Sequence, residues 1–427
     1  MGKAKVLVVG RGGREHALAW GLARSPSVGE VYAAPGSAGM ADSAAPTGIA
    51  EGDFAALAAF AREKGVALTV VGPEAPLVGG IADFFAREGL PIFGPTAAAA
   101  AIEGSKSFAK GLMERHGIPT AAYEAFSDYR KARRHVEGAP LPIVIKADGL
   151  AAGKGVAVAG TREEALGALD GMMAGGRFGD AGRTVVVEEF LEGEEFSLIA
   201  FASGEDVIPM PLARDHKRAL DGDRGPNTGG MGAYSPVPQI AESVAEAAAE
   251  QILRRAARAL ASEGRGFTGF LYAGLIATKE GPKAIEFNAR LGDPEAQVLL
   301  PRLESDLFET ISAAMRGESP RPEWSADAAL GVTLAARGYP GAHESGFPIE
   351  GLDSLDSETM AFHGGTEARG GKIVASGGRV LVVARKARTL GLAREGAYAE
   401  VAKLRCEGLF CRSDIGLPLT GRENPVA

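Results

Sequence analysis

Short apolar runs closed by glycine set the rhythm of the first hundred residues. Val6-Leu7-Val8-Val9, Leu68-Thr69-Val70-Val71 and Pro91-Ile92-Phe93 end at Gly10, Gly72 and Gly94. Runs of this length without alternation are what strands buried on both faces show. A helix-like stretch, 17–24, follows the first run. Repeated strand, Gly/Pro turn and helix predicts a parallel sheet up to about residue 103. Downstream, Ser105 is placed to cap an amphipathic helix ending near Gly117-Ile118-Pro119. Residues 130–137 and 161–173 read as helices, and 142–146, 156–159 and 184–191 as strands, all within a small subdomain over about 121–190. Gly and Pro crowd 225–236 and predict irregular backbone there. Residues 240–262 read as one long Ala-rich helix with Glu250 and Arg254 at i,i+4. The stretches 270–278 and 283–287 read as paired strands. From Ala326 the pattern turns to short strands and tight turns, and 390–406 reads as one helix.

The expected fold class is α/β and α+β multidomain. A Rossmann-like domain spans 1–103, a central domain 104–325 with the small subdomain inside it, and a small β-rich domain 326–427. With 427 residues there is ample chain for such cores. Lys and Arg number 46 against 54 Asp and Glu, a net charge of −8, which argues against non-specific nucleic-acid binding. The only two cysteines, Cys406 and Cys411, match no common zinc spacing and no disulfide framework, so a reducing cytoplasm is expected. No signal peptide is read at Lys3-Ala4-Lys5, and no apolar run is long enough to span a membrane.

Candidate chemistry concentrates in four places. Strand 142–146 ends on Lys146 and is followed by Asp148-Gly149-Leu150-Ala151-Ala152-Gly153-Lys154-Gly155 and a second strand. A hairpin with such a tip can bend over a polyanion, its N–H groups and Lys154 supplying positive charge. By itself the pattern fits a surface hairpin equally well, and its spacing is not that of a P-loop. Gly10-Arg11-Gly12-Gly13-Arg14-Glu15 between strand and helix makes a phosphate site at a helix N-terminus. Glu15 stands where a dinucleotide fingerprint wants glycine, and no acidic residue closes the second strand at Pro35-Gly36, so NAD is not expected. Glu74, after Gly72-Pro73, sits beyond a strand end, placed for sugar hydroxyls or an amine, or else simply near a helix dipole. Glu286 and Asn288 share one strand face, as hard oxygen ligands that suit Mg²⁺, with Arg290 in the same parity and Asp293 following.

The run Ile145-Lys146-Ala147-Asp148-Gly149-Leu150-Ala151-Ala152-Gly153-Lys154-Gly155-Val156 resembles the nucleotide-covering segment of ATP-grasp ligases, and matching stretches throughout resemble the phosphoribosylamine–glycine ligase family among them. The resemblance implies a central ATP-grasp fold with a mobile lid. It implies ATP contacts from Lys106, Lys146, Gly153, Lys154, Gly155, Glu188, Phe190, Leu191 and Glu195. Substrate contacts would come from Gly10, Gly12, Gly13, Arg14, Glu15, Pro35, Gly36, Gly72, Pro73, Glu74, Gly229, Gly230, Met231, Arg290 and Asp293. Arg290, Lys146, Asp215 and Lys217 would be the catalytic set, with Mg²⁺ or Mn²⁺ on Glu286 and Asn288. The implied reaction joins glycine to 5-phosphoribosylamine through a glycyl phosphate, with ATP as co-substrate. The expected partners are those small molecules, with no nucleic acid and no membrane, and a monomer is expected. The C-terminal domain closes the cleft in this reading, and His343 and His363 are surface or structural. Rival readings are another ATP-grasp carboxylate–amine ligase, a dinucleotide-dependent dehydrogenase and a non-catalytic nucleotide-binding regulator.

Overall fold

The computed structural model describes residues 2–151, 155–175 and 178–417. A parallel five-stranded sheet organises the N-terminal part, in the order Ala45–Pro46, Val28–Pro35, Ala4–Gly10, Leu68–Val71, Ile92–Phe93. Val6 to Val9 are fully buried because helices cover both faces, which explains their unbroken apolar run. All five strands end on the same edge, and that edge becomes one wall of the site.

Four antiparallel strands form the small subdomain, in the order Tyr123–Phe126, Val185–Glu189, Ile143–Ala147, Val156–Ala159. Two helices, Tyr129–Gly138 and Arg162–Leu169, cover it and close a core of its own around Phe126, Val136, Ile145 and Leu169. The hairpin is present, with Ile143 to Lys146 paired to Ala159 back to Val156. Its tip at Gly153 and Lys154 lies outside the described residues.

A second antiparallel sheet runs Asp206–Pro209, Glu194–Gly204, Phe267–Thr278, Gly281–Asn288. Its last pairing slips between Gly274 and Leu275, leaving Ile285 as an extra residue. The slip lies before Glu286, so Glu286 and Asn288 keep a common face.

The third sheet takes Arg214–Asp215 and Gly232–Ser235 beside Ala328–Ala336, Arg379–Ala387 and Met360–His363. Irregular backbone expected over 225–236 is therefore corrected. Arg224–Asn227 forms a hairpin with Arg218–Leu220, and Gly232–Ser235 is a wholly buried strand. Gly232 is required by that pairing, since a Cβ would lie 2.6 Å from the Gly331 carbonyl oxygen. Two helix expectations also change. The stretch 240–262 is helical from Glu242 to Ser262 but carries a π turn over Ala249–Arg254. The last helix stops at Val401, short of Cys406, because Arg405 exchanges both backbone hydrogen bonds with Glu350. Among the described residues no helix is long and apolar enough to cross a membrane.

Candidate active site

The strand-end wall is built around Glu15. Its Oε2 accepts the Gly12 N–H at 2.6 Å, and its Oε1 accepts Arg14 Nε at 2.5 Å. A Cβ on Gly10 or Gly72 would fall 2.3 or 2.2 Å from the Glu15 side chain. Those two glycines make room for Glu15, and Glu15 itself is buried and engaged within the turn. Pro35 and Gly36 flank it, the Gly36 N–H donating to Gly10 O at 3.2 Å. Pro73 precedes the helix Glu74–Val78, so Glu74 lies beyond the end of the Leu68–Val71 strand and also in a helix first turn, the position that the helix-dipole alternative describes.

Arg290 crosses from the second sheet to this wall. Its Nη2 lies 2.8 Å from Glu103 Oε1, its Nε 3.3 Å from Glu74 Oε2, and Arg14 Nη1 lies 3.9 Å from the same Glu74 oxygen. Burial would raise Glu74, but Arg290 and Arg14 outweigh it and hold the carboxyl below its usual range. Glu103, buried deeper, is raised by that burial against the pull of Arg290. Glu103 also accepts the Ala289 N–H at 2.8 Å, which fixes the backbone from which Arg290 projects.

On the opposite side lie the lysines. Lys106, in the first turn after the Ser105 cap, donates to the Gly149 carbonyl at 3.2 Å. Asp148 holds the same helix end, accepting the Ser107 N–H at 2.9 Å. Lys146 donates to Glu188 Oε2 and to the carbonyl of Ile285, the bulged residue, at 3.0 Å each. Phe190 is exposed and Leu191 half-exposed on the segment that follows. Gly155 is held by the Ala147 N–H on its carbonyl.

Between the two sides stand Lys217 and Glu286. Lys217 Nζ lies 2.9 Å from both Asp215 oxygens. Burial works against its ammonium, yet Asp215, backed by Tyr272, Glu195 and Glu286, raises it well above the usual lysine range. Burial would likewise raise Glu286, but Lys217, Lys146, Lys106 and Arg290 keep the carboxylate below its usual range. Glu195 is exposed at the start of the neighbouring strand. Underneath, Glu295 Oε1 accepts from Ser197 Oγ and Tyr272 OH at 3.0 Å each.

Gly12, Gly13, Asp293 and Arg379 line a cavity of about 210 Å³ together with Gly364 and Leu381. Arg379 Nη1 donates to the Gly229 and Asp293 carbonyls at 2.6 Å each, and its Nη2 to Asp293 Oδ2 at 3.0 Å. The Gly229 and Gly230 carbonyls thus meet an arginine that lines the cavity, whereas Met231 does not. Its side chain is in the core, its N–H is on His216 O and its carbonyl on the Thr333 N–H.

Three successive matches cover this architecture. The phosphoribosylglycinamide synthetase N domain matches residues 4–103, the ATP-grasp (A) domain 104–296 and the C domain 329–418. The phosphoribosylamine–glycine ligase of Halalkalibacterium halodurans is 56% identical over 411 residues, 96% of either chain. That of Vibrio cholerae is 49% identical over 425 residues, 98% of this chain and 99% of the other. The chain belongs to the phosphoribosylamine–glycine ligase family. Among solved structures, the family's Thermotoga maritima member superposes with a TM-score of 0.84 at 34% identity, covering 96% of this chain and all of that one. The biotin carboxylase domain of Hydrogenobacter thermophilus 2-oxoglutarate carboxylase shares the fold at 17% identity, with a TM-score of 0.73 and coverage of 96% and 92%.

Sequence reasoning passed over three residues of this family member's site. Glu103 was visible only as the opening of a helix. Lys110 lies on the apolar stripe formed with Ala109, Leu112 and Met113, and a lysine on such a stripe was the available signal. Arg379 gave none, because its partners lie 86 and 150 residues away. The two histidines divide. His343 is exposed, and His363 is buried, its N–H on His16 Nδ1 at 2.9 Å.

Proposed function

We propose that the chain ligates glycine to 5-phosphoribosylamine, giving glycinamide ribonucleotide, ADP and phosphate in de novo purine biosynthesis. One observation carries the reading. Glu286 lies within electrostatic reach of Lys217, Lys146, Lys106 and Arg290, and Arg290 pairs with Glu74, which Arg14 beside the Gly12–Gly13 turn also approaches. ATP would lie under the hairpin, with Lys106 and Lys146 at its phosphates, Phe190 and Leu191 at the base and Glu195 at the ribose. The glycine carboxylate would approach Arg290, whose planar fork orients it towards the γ-phosphorus. The phosphoribosyl group would sit against the Gly12–Gly13 turn with Asp293 and Glu74 on its hydroxyls and amine.

Glycine carboxylate oxygen takes the γ-phosphoryl group and ADP leaves. The amine then attacks the acyl carbon, phosphate departs and the amine loses a proton. Lys146 and Lys217 hold positive charge where negative charge moves. Glu286 and Asn288 fit Mg²⁺ or Mn²⁺. The carboxylate is kept ionised by four cations, and the amide oxygen has only a long 3.4 Å contact from Arg290. A bound ion there would neutralise phosphate charge. Among the described residues no cluster of three His, Cys, Asp or Glu side chains forms a cage, which suits an ion completed by phosphate and water. In this reading residues 1–103 bind phosphoribosylamine, 104–325 bind ATP and 326–427 close the cleft through Arg379, in a cytoplasmic monomer.

ADP release should require both glycine and freshly made phosphoribosylamine. Release that persists when either is omitted, or that follows a different amine or acid better, would assign the site to another ligase.

A further inference from the structure

Lys110, Lys146 and Glu188 form a buried cluster with more positive charge than it neutralises. Their exposures are 2%, 3% and 4%. Glu188 Oε2 accepts from Lys146 at 3.0 Å and lies 2.9 Å from Lys110 Nζ. Lys110 also donates to Thr120 Oγ1 at 2.8 Å, and Thr120 passes its own proton to Ala284 O at 2.7 Å. Two ammonium groups thus share one carboxylate. Other carboxylates act on the cluster from further away. Glu189 is exposed and already accepts the Ala122 N–H. Glu286 acts on Lys146, but Lys106, Lys217 and Arg290 act on the same carboxylate.

A buried excess of one positive charge costs stability unless an anion completes it. Lys146 has used two of its three donors, on Glu188 and Ile285, and its remaining one is free for a phosphate oxygen. Without Lys110, Glu188 and Lys146 would be a closed neutral pair. We infer that Lys110 is a positioning residue for the nucleotide: by sharing Glu188 it keeps Lys146 electropositive and turned towards the triphosphate. Lys110 touches no phosphate itself. The inference rests on the assignment of the Lys146 face to ATP, and its test uses nucleotide alone, without glycine or phosphoribosylamine.

Lys110→Met retains the length and the apolar stem. It leaves no unpaired buried charge, because Glu188 and Lys146 still neutralise one another. Binding of a non-hydrolysable ATP analogue with Mg²⁺ should weaken roughly tenfold, as for loss of one nearby charge in a partly screened site. The melting temperature of the free protein should stay the same or rise. In the conservative variant Lys110→Arg a second cation again shares Glu188, and most of the affinity should be retained. A purely structural Lys110 predicts the reverse: a lower melting temperature, unchanged nucleotide affinity and no advantage of Lys110→Arg over Lys110→Met in binding. Any of those three results overturns the inference. Failure of the unaltered protein to bind the analogue would overturn both this inference and the proposed function, whereas a wrong acid or amine substrate would leave it standing.

Discussion

Arg379→Ala tests whether the C-terminal domain takes part in the site or merely covers it. The side chain makes three hydrogen bonds of 3.0 Å or less, two to backbone carbonyls and one to the Asp293 carboxylate. At about 1.5–3 kcal/mol for each bond to a charged group, simple addition would give roughly 4.5–9 kcal/mol. That sum is too large. Arg379 and Asp293 border a cavity, and water that fills the space left by the guanidinium would largely replace the bonds to the two carbonyls. What is not replaced is the Arg379 counter-charge of Asp293, which keeps the Gln297 Nε2 hydrogen bond at 2.7 Å and the weaker pull of Arg14 and Arg290. Breaking a buried ion pair costs about 3–5 kcal/mol. With side-chain exposures of 23% and 20% the pair belongs at the lower end, about 3 kcal/mol. Urea unfolding of the wild type, Arg379→Ala, Asp293→Asn and the double variant measures it. The cycle should show a coupling of about 2 kcal/mol. The Michaelis constant for phosphoribosylamine should rise more than that for ATP, since Gly229 and Asp293 lose their anchor. A single-variant loss under about 1 kcal/mol, or an additive cycle, would mean that Arg379 and Asp293 do not act as a coupled pair.

Glu286→Gln should lower kcat by at least about a hundredfold, because in the proposed site a carboxylate that would hold the metal ion is replaced by a weaker ligand. The melting temperature should move by only a few degrees, and normal turnover at saturating Mg²⁺ would remove Glu286 from the metal site. Burial, with His363 adding to it, lowers His16 to about 3, and burial lowers His363 to about 4 in spite of Asp42. Between pH 6.5 and about 4 the unfolded histidines therefore bind protons that the folded ones refuse, so stability is lost as pH falls. Replacing His363 by Gln should flatten the slope of stability against pH between 6.5 and 5 by up to about 1.4 kcal/mol per unit, and an unchanged slope would contradict its buried neutral state.

What the sequence revealed and what it hid divide along one line, the distance to the partner. The Val6 to Val9 strand declares itself because both its faces are buried, and the Ser105 cap because its acceptor role is local, its Oγ taking the Phe108 N–H at 3.1 Å. Strand parity placed Glu286 and Asn288 on one face, and the bulge at Ile285 happens to fall upstream of both. Gly232–Ser235 was misread because its glycine-rich surroundings look like a loop until Ala328–Ala336, about a hundred residues on, pairs with it. Glu15 looked like a ligand-facing residue at a phosphate turn. Only the fold shows that Gly10 and Gly72 open the space for its side chain. Lys110 stands on the apolar stripe of the helix Lys106–Arg115, and its meaning comes from Glu188, a partner 78 residues away on the strand Val185–Glu189.

In the proposed function this site carries ATP-driven activation of glycine for attack by phosphoribosylamine. In the proposed arrangement its cations would gather around the β- and γ-phosphates, so the group that departs should be ADP. Glycine carrying ¹⁸O in its carboxylate, supplied with ATP and phosphoribosylamine, should pass one labelled oxygen to inorganic phosphate for each glycinamide ribonucleotide formed. Label in AMP, or pyrophosphate as the product, would mean that glycine attacks the α-phosphorus and that the proposed function is wrong.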